Sequence, residues 1–300
     1  MGFRCGRVAV VGKPNVGKST LVNYLVGEKV AITADKPQTT RTTILGIANR
    51  PSAQVIFLDT PGIHKPRTKL GKVMVDRAVQ TLAECDAILF VVDCSRPPEE
   101  DDERIARMIR TEPAKPVVVS LNKMDRLRPE HVEMNYHAYE QLTAPSQLMY
   151  TNGLTGENGD KLMEMLIGVL PARGREFADE SMFTTQHIRD MAAEIIREKA
   201  IQNLREEVPH GVAVQVESWQ DPTPTDASPI TRIEAAIVVE KTSHKPILIG
   251  RKGSLIKAIG SLARVEIEKL IGTKVFLDLR VKVEEHWRDD PRQLRNLGLT

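Results

Sequence analysis

Eight consecutive residues, Gly12-Lys13-Pro14-Asn15-Val16-Gly17-Lys18-Ser19, have the types and spacing needed to hold a polyphosphate. They match G-x-x-x-x-G-K-[ST], in which glycines let backbone amides approach an anion closely. A helix starting at Lys18 would aim its free N–H groups and its dipole at that anion. The Lys18 ammonium would reach the β- and γ-phosphates, the Ser19 hydroxyl would ligate Mg²⁺, and Thr20 follows as the next contact. Downstream, Asp59-Thr60-Pro61-Gly62 follows a β-branched run. A carboxylate at a strand end holds Mg²⁺ through water, and the Gly62 amide is placed to sense a γ-phosphate. Alone this tetrapeptide would more often be a turn; its position behind a phosphate loop favours the metal reading.

Asn122-Lys123-Met124-Asp125 carries base selection. The Asp125 carboxylate can accept from N1 and the exocyclic N2 of guanine. Adenine has no donors there, so an ATP complex would strand the carboxylate unpaired. Lys123 can lay its stem along the base. GTP and GDP are therefore the expected ligands. In Gln38-Thr39-Thr40-Arg41-Thr42, one threonine hydroxyl could close over Mg²⁺ only when a γ-phosphate is present. Thr40 is favoured and Thr39 is the alternative. Residues 36–43 and 62–72 are the expected switches, with Pro61, Gly62 and Ile63 opening the second. Ile63 stands where Ras-like proteins carry a water-orienting glutamine, and an aliphatic side chain cannot hold water. Slow intrinsic hydrolysis is the expectation, with Lys18 and Asn15 as the catalytic candidates.

Parallel strands ending in loops would position these residues. Strands are expected at 7–11, 54–59, 87–93 and 117–122, several of them apolar throughout. Helices are expected at 18–26, 70–84, 101–110, 129–142 and 160–170. This alternation predicts an α/β, doubly wound, mostly parallel domain over 1–172. A polar linker is expected at 173–184. Beyond it the order becomes a helix at 185–206, strands at 212–219 and 233–240 around a proline-rich loop at 220–231, a helix at 254–271 and a strand at 274–283. That is a small α+β domain over 185–285, with a polar tail at 286–300.

The chain has 300 residues, 41% hydrophobic and 27% charged, with a net charge of +2. Residues 241–300 hold 13 Lys+Arg against 7 Asp+Glu, or +6, which leaves −4 for the rest. A basic C-terminal part suits phosphate backbones. In it lies Ile249-Gly250-Arg251-Lys252-Gly253, at the start of an amphipathic helix. A G-x-x-G loop lets nucleic-acid backbone approach, Arg251 and Lys252 supply charge, and Ile249 and Ile256 could line a groove for unstacked bases. Three scattered cysteines give neither a disulfide framework nor metal spacing and suggest a reducing compartment. No apolar run reaches membrane-spanning length, so a cytoplasmic protein is expected.

Together these motifs resemble a translation-factor-related GTPase, and the Gln38–Arg41 element and spacing resemble the Era family, from residue 7 to residue 287. The resemblance implies a P-loop GTPase domain followed by a type II KH domain. It implies that Gln38–Arg41 forms the first switch, and that Leu154-Thr155-Gly156-Glu157-Asn158 is the fifth motif. The family usually places Ser-Ala before that motif; here Asn152-Gly153 stands there. The Gly153 N–H would still meet the base, with softened affinity. In related GTPases an asparagine at the position of Asn15 helps hold a monovalent cation, which implies stimulation by K⁺. The implied partner is the 3′ end of 16S ribosomal RNA in the small subunit, whose maturation the protein would assist as a monomer with weak peripheral contact to the inner face of the membrane. Two alternatives are an RNA-binding scaffold with GTP as a static ligand and a GTPase acting on protein or membrane partners.

Overall fold

The computed structural model describes residues 2–36, 38–66, 68–112, 114–145, 147–223 and 229–299. Pro37 of the first expected switch and residues 224–228 of the proline-rich loop lie outside this set. The chain divides into two units. The first comprises Met1–Thr33, Thr40–Arg67 and Gly71–Thr185; the second comprises Ala34–Thr39, Thr68–Leu70 and Gln186–Thr300.

In the first unit, β1 (Arg4–Val11), β3 (Ala53–Asp59), β4 (Ala87–Asp93) and β5 (Val117–Asn122) are the apolar runs expected as strands. Two further strands appear, β2 (Ile44–Arg50) and β6 (Gln147–Tyr150), giving the order β2-β3-β1-β4-β5-β6. All pairs are parallel except β2–β3. Five helices complete the unit: α1 (Lys18–Val26), α2 (Lys69–Glu84), α3 (Glu100–Ile109), α4 (Val132–Thr143) and α5 (Gly159–Val169). One apolar layer joins Val8, Val10, Leu21, Leu25, Phe57, Leu89 and Leu166; another joins Ala9, Val11, Ile63, Phe90, Ile105 and Tyr139. Alternate side chains of the parallel strands therefore face opposite layers, and the loops at the strands' carboxyl ends are left to bind ligand.

Residues 173–184, expected as a polar linker, are fastened to this unit. Gln54 is fully buried; its Oε1 accepts from the Glu176 and Phe177 amides, both at 2.9 Å, and its Nε2 donates to the Phe177 carbonyl. Asn49 donates to the carbonyls of Glu180 and Met182. The Ile47 amide donates to the Phe183 carbonyl at 2.8 Å, and Thr184 Oγ1 donates to the Leu45 carbonyl at 2.6 Å. The strap is thus stitched onto the edge strand β2.

The second unit holds α6 (Ile188–Asn203), β7 (Ala213–Gln220), β8 (Ile230–Val239), α7 (His244–Ile249), α8 (Ser254–Ile271), β9 (Lys274–Val283) and α9 (Pro291–Asn296). Its sheet runs β7-β8-β9, antiparallel then parallel. Ile195, Ile196, Ile237, Leu248, Ile259 and Ile267 form its core. Helix α7 was not anticipated. Within the expected polar tail, Trp287 is fully buried and donates to the Gly211 carbonyl at 3.0 Å, and Leu294 is buried as well. Within this unit Arg197 of α6, also buried, donates to the carbonyl of Thr39.

Candidate nucleotide site and nucleic-acid loop

The loop from Gly12 to Ser19 joins β1 to α1, as the spacing requires. Lys18 is buried, and its Nζ donates to the carbonyls of Gly12 and Lys13, each at 3.0 Å. Burial lowers its pKa to about 8, against the opposing pull of Asp59. Gly17 has φ 96, and a Cβ there would stand 2.4 Å from Asn122 Nδ2. Only glycine allows both that backbone conformation and that approach. Asn15 is exposed, with φ 63.

Three oxygens converge beside the loop. Ser19 Oγ donates to Asp59 Oδ2 at 2.6 Å and lies 2.9 Å from Thr40 Oγ1. Asp59 is fully buried, and its Oδ1 has no hydrogen-bond partner. Burial pushes its carboxyl up to about 6, against Lys18 and Ser19. Two hydroxyls and a buried carboxylate with an orphaned oxygen form a hard-oxygen donor set that fits Mg²⁺. Thr39 does not join them; its hydroxyl donates to the Lys36 carbonyl at 2.7 Å. Thr60 ties the strand end to β1 by donating to the Val10 carbonyl. A Cβ on Gly62 would stand 2.8 Å from Pro14, so the segment expected as the second switch begins against the phosphate loop. Ile63 is fully buried in the core, with its N–H on the Gly12 carbonyl at 3.2 Å. Gln38 has φ 63, and Arg41 is buried.

At the end expected to read the base, Asn122 joins three loops. Its Nδ2 donates to the Val16 carbonyl at 2.8 Å, and its Oδ1 accepts from the Thr151 hydroxyl at 3.3 Å and the Gly153 amide at 2.9 Å. The Gly153 N–H assigned above to the base is therefore directed at Asn122. Asn152 Oδ1 accepts from the Leu154 and Thr155 amides, closing the turn with its own side chain. Asp125 is exposed, 3.9 Å from the Arg126 guanidinium. Lys123, with φ 62, pairs with Asp93 Oδ2 at 2.9 Å.

Asp93 was missed in the sequence. It ends β4 directly beside Asn122 at the end of β5, and its other oxygen accepts from Ser95 Oγ at 2.6 Å. Its position at a strand's carboxyl end was the available signal. Tyr24 was also missed: a Cβ on Gly156 or Gly159 would collide with its ring at 1.9 and 2.2 Å. Those glycines admit an aromatic ring of α1 against the fifth motif.

Residues 7–123 match a family described as 50S ribosome-binding GTPase, and residues 207–288 match the KH domain family. GTPase Era from Heliobacterium modesticaldum is 45% identical over 99% of this chain and 97% of its own length. The chain belongs to the Era GTPase family. Era from Geobacter metallireducens is 43% identical over 99% of this chain and 98% of its own. Among solved structures, an Aquifex aeolicus Era variant bound to GDP.AlF4- superposes with a TM-score of 0.93 at 39% identity, covering 99% of this chain and all of that one. An Era complex with MgGDPNP and nucleotides 1506–1542 of 16S ribosomal RNA gives 0.94 at 40% identity, covering 99% of both chains.

The family's KH loop takes a strained path here. Gly250 has φ 72, Lys252 φ 51 and Gly253 φ 77. Arg251 and Lys252 are exposed, while Ile249 and Ile256 are half-buried on either side. A Cβ on Gly250 would stand 2.7 Å from Leu255; one on Gly253 would meet open space. Trp219 packs against the core with its N–H on Asp221. No helix is long and apolar enough to cross a membrane among the described residues.

Proposed function

We propose that this chain is a slow GTP-hydrolysing switch that binds the 3′ end of 16S ribosomal RNA through its KH loop and assists maturation of the small subunit. One observation carries the switch reading: the Thr40 hydroxyl stands 2.9 Å from Ser19 Oγ. Residues 12–20, Asp59, Gly62, Asn122, Lys123, Asp125 and Asn152 would hold the nucleotide, and Gly153 would join them only by turning its N–H from Asn122 to the base. Mg²⁺ on Ser19, Thr40 and Asp59 would neutralise phosphate charge. Lys18 would leave the two loop carbonyls for the β- and γ-phosphates, while Asp125 selects guanine. Ile63 is locked in the core and orients no water, which supports slow turnover. Asn15, exposed at the phosphate loop, is the group proposed to recruit K⁺.

Coupling to RNA has support in the chain's connectivity. Thr40 belongs to the first unit, and its sequence neighbour Thr39 belongs to the second, where Arg197 holds its carbonyl. Ordering Thr40 on Mg²⁺ would act directly on Thr39. Ile249, Gly250, Arg251, Lys252, Gly253 and Ile256 would take about four unpaired nucleotides. The Era complex with 16S nucleotides supports this RNA as the ligand. A cytoplasmic monomer with weak peripheral membrane contact completes the reading. The deciding experiment measures affinity for an oligonucleotide of the 16S 3′ end with GDP and with GDPNP, and phosphate release with that RNA in K⁺ and in Na⁺. Equal affinities would remove the coupling, no RNA binding would remove the ligand, and equal rates in the two salts would remove the role given to Asn15.

A further inference from the structure

Lys13 lies in the phosphate loop, but its side chain is engaged elsewhere. Its Nζ stands 2.8 Å from Glu99 Oε2 and 2.8 Å from Asp102 Oδ2, at the start of α3. Its own carbonyl accepts from Lys18 Nζ. The residue is therefore tied at both ends. The partner side is not a surface ion pair: the Asp102 side chain is 0% exposed. Asp102 Oδ2 also accepts from the Glu99 amide at 2.9 Å, closing the capping box of α3, while Oδ1 has no partner. A buried carboxylate with an unfilled oxygen depends on its cation, here Lys13. Burial raises the Asp102 carboxyl above its usual range, and the hydrogen bond from Lys13 opposes this most strongly.

We propose that Lys13 is a positioning residue for GTP hydrolysis: its ammonium, clamped by Glu99 and Asp102, holds the half-loop that carries Asn15 in the shape the reacting phosphate needs. Once a phosphate draws Lys18 away, the Lys13 carbonyl loses its tie and the clamp on α3 is the side-chain anchor that remains. Two residues along, Asn15 sits at φ 63, a left-handed conformation that asparagine adopts more readily than other non-glycine residues and that the loop must still hold in place. The ammonium makes no contact with reacting atoms and acts through the loop. An arginine, with its forked donors, can bridge the same two carboxylates.

The test uses the full chain and four proteins: wild type, Lys13→Met, Lys13→Arg and the double variant Lys13→Met/Asp102→Asn. Lys13→Met should lower kcat about tenfold while KM for GTP and the affinity for GDP move less than about threefold, the pattern of an interaction felt mainly in the transition state. Lys13→Arg should recover most of the rate. The double variant neutralises the stranded carboxylate but retains the amide cap, so its melting temperature should return toward wild type while kcat stays low. Unchanged kcat in Lys13→Met would overturn the proposal. So would recovery of kcat in the double variant, which would reduce Lys13 to a partner for a buried charge. A parallel fall of kcat, GDP affinity and melting temperature that Lys13→Arg does not reverse would also overturn it.

Discussion

Ser19 Oγ and Thr40 Oγ1 stand 2.9 Å apart, although the rest of α1 and the segment after it separate the residues in sequence. Because Ser19 gives its proton to Asp59, Thr40 is the donor to Ser19. Thr39 faces the other way, onto Lys36. Thr40→Ala should therefore weaken Mg²⁺-dependent GDPNP binding about tenfold or more relative to GDP, because a charge-assisted contact of roughly 1.5–3 kcal/mol is lost. Thr39→Ala should leave that ratio within about twofold. Competition binding with both nucleotides checks this; equal effects would return the assignment to an open choice.

The proposed base selection rests on the acceptor character of Asp125. Asp125→Asn should lower GTP affinity by about two orders of magnitude or more, since donors facing donors leave polar groups unpaired. The same amide offers a donor to a base with a carbonyl at C2, so xanthosine triphosphate should become the better ligand. Retained preference for GTP in a filter-binding assay would move guanine reading elsewhere in the loop set.

The Asp93–Lys123 pair has a pH signature. Burial raises the Asp93 carboxyl, but Ser95 and Lys123 outweigh it and hold it below the usual carboxylate range. A group with a depressed folded pKa adds stability that is full above its unfolded pKa and is lost as pH falls through the folded value. The stability difference between wild type and Asp93→Asn should then be full above about pH 5 and shrink on further acidification. At neutral pH it should be about 1–3 kcal/mol for a half-buried, hydrogen-bonded pair. Urea unfolding at several pH values measures it; a difference independent of pH would contradict the assignment.

The two KH glycines should separate in their effects. Gly253 faces open space, so Gly253→Asp should abolish RNA binding by repelling phosphates and cost about 1 kcal/mol from its positive φ. Gly250 is crowded by Leu255, so Gly250→Asp should cost RNA binding and roughly 1–3 kcal/mol more in stability. Thermal melting beside an RNA titration separates the two, and similar melting temperatures would contradict the packing argument.

The chemistry was legible because its motifs sit at strand ends and helix starts, where local patterning and function coincide. The missing elements lack such patterning. Strand β2 mixes Gly46, Asn49 and Arg50 into a half-buried edge, and β6 has only four residues without a β-branched side chain. Helix α7 is six residues long with Pro246 inside it, too short to show a helical period. The tail looked polar because the burial of Leu294 depends on surfaces far away in sequence. The Asp93–Lys123 and Lys13–Asp102 pairs depend on strand register and on how α3 packs, which no window of neighbouring residues contains.

The strap at 176–184 bears on how the halves can be separated. Strand β2 ends the six-stranded sheet, and residues 183 and 184 occupy backbone groups along its outer side. Cutting the chain at 172, where composition alone would place the boundary, would bare that row of N–H and C=O groups as a template for strand addition by other molecules. A fragment ending there should self-associate, whereas one ending at Thr185 keeps its edge covered and should stay dispersed.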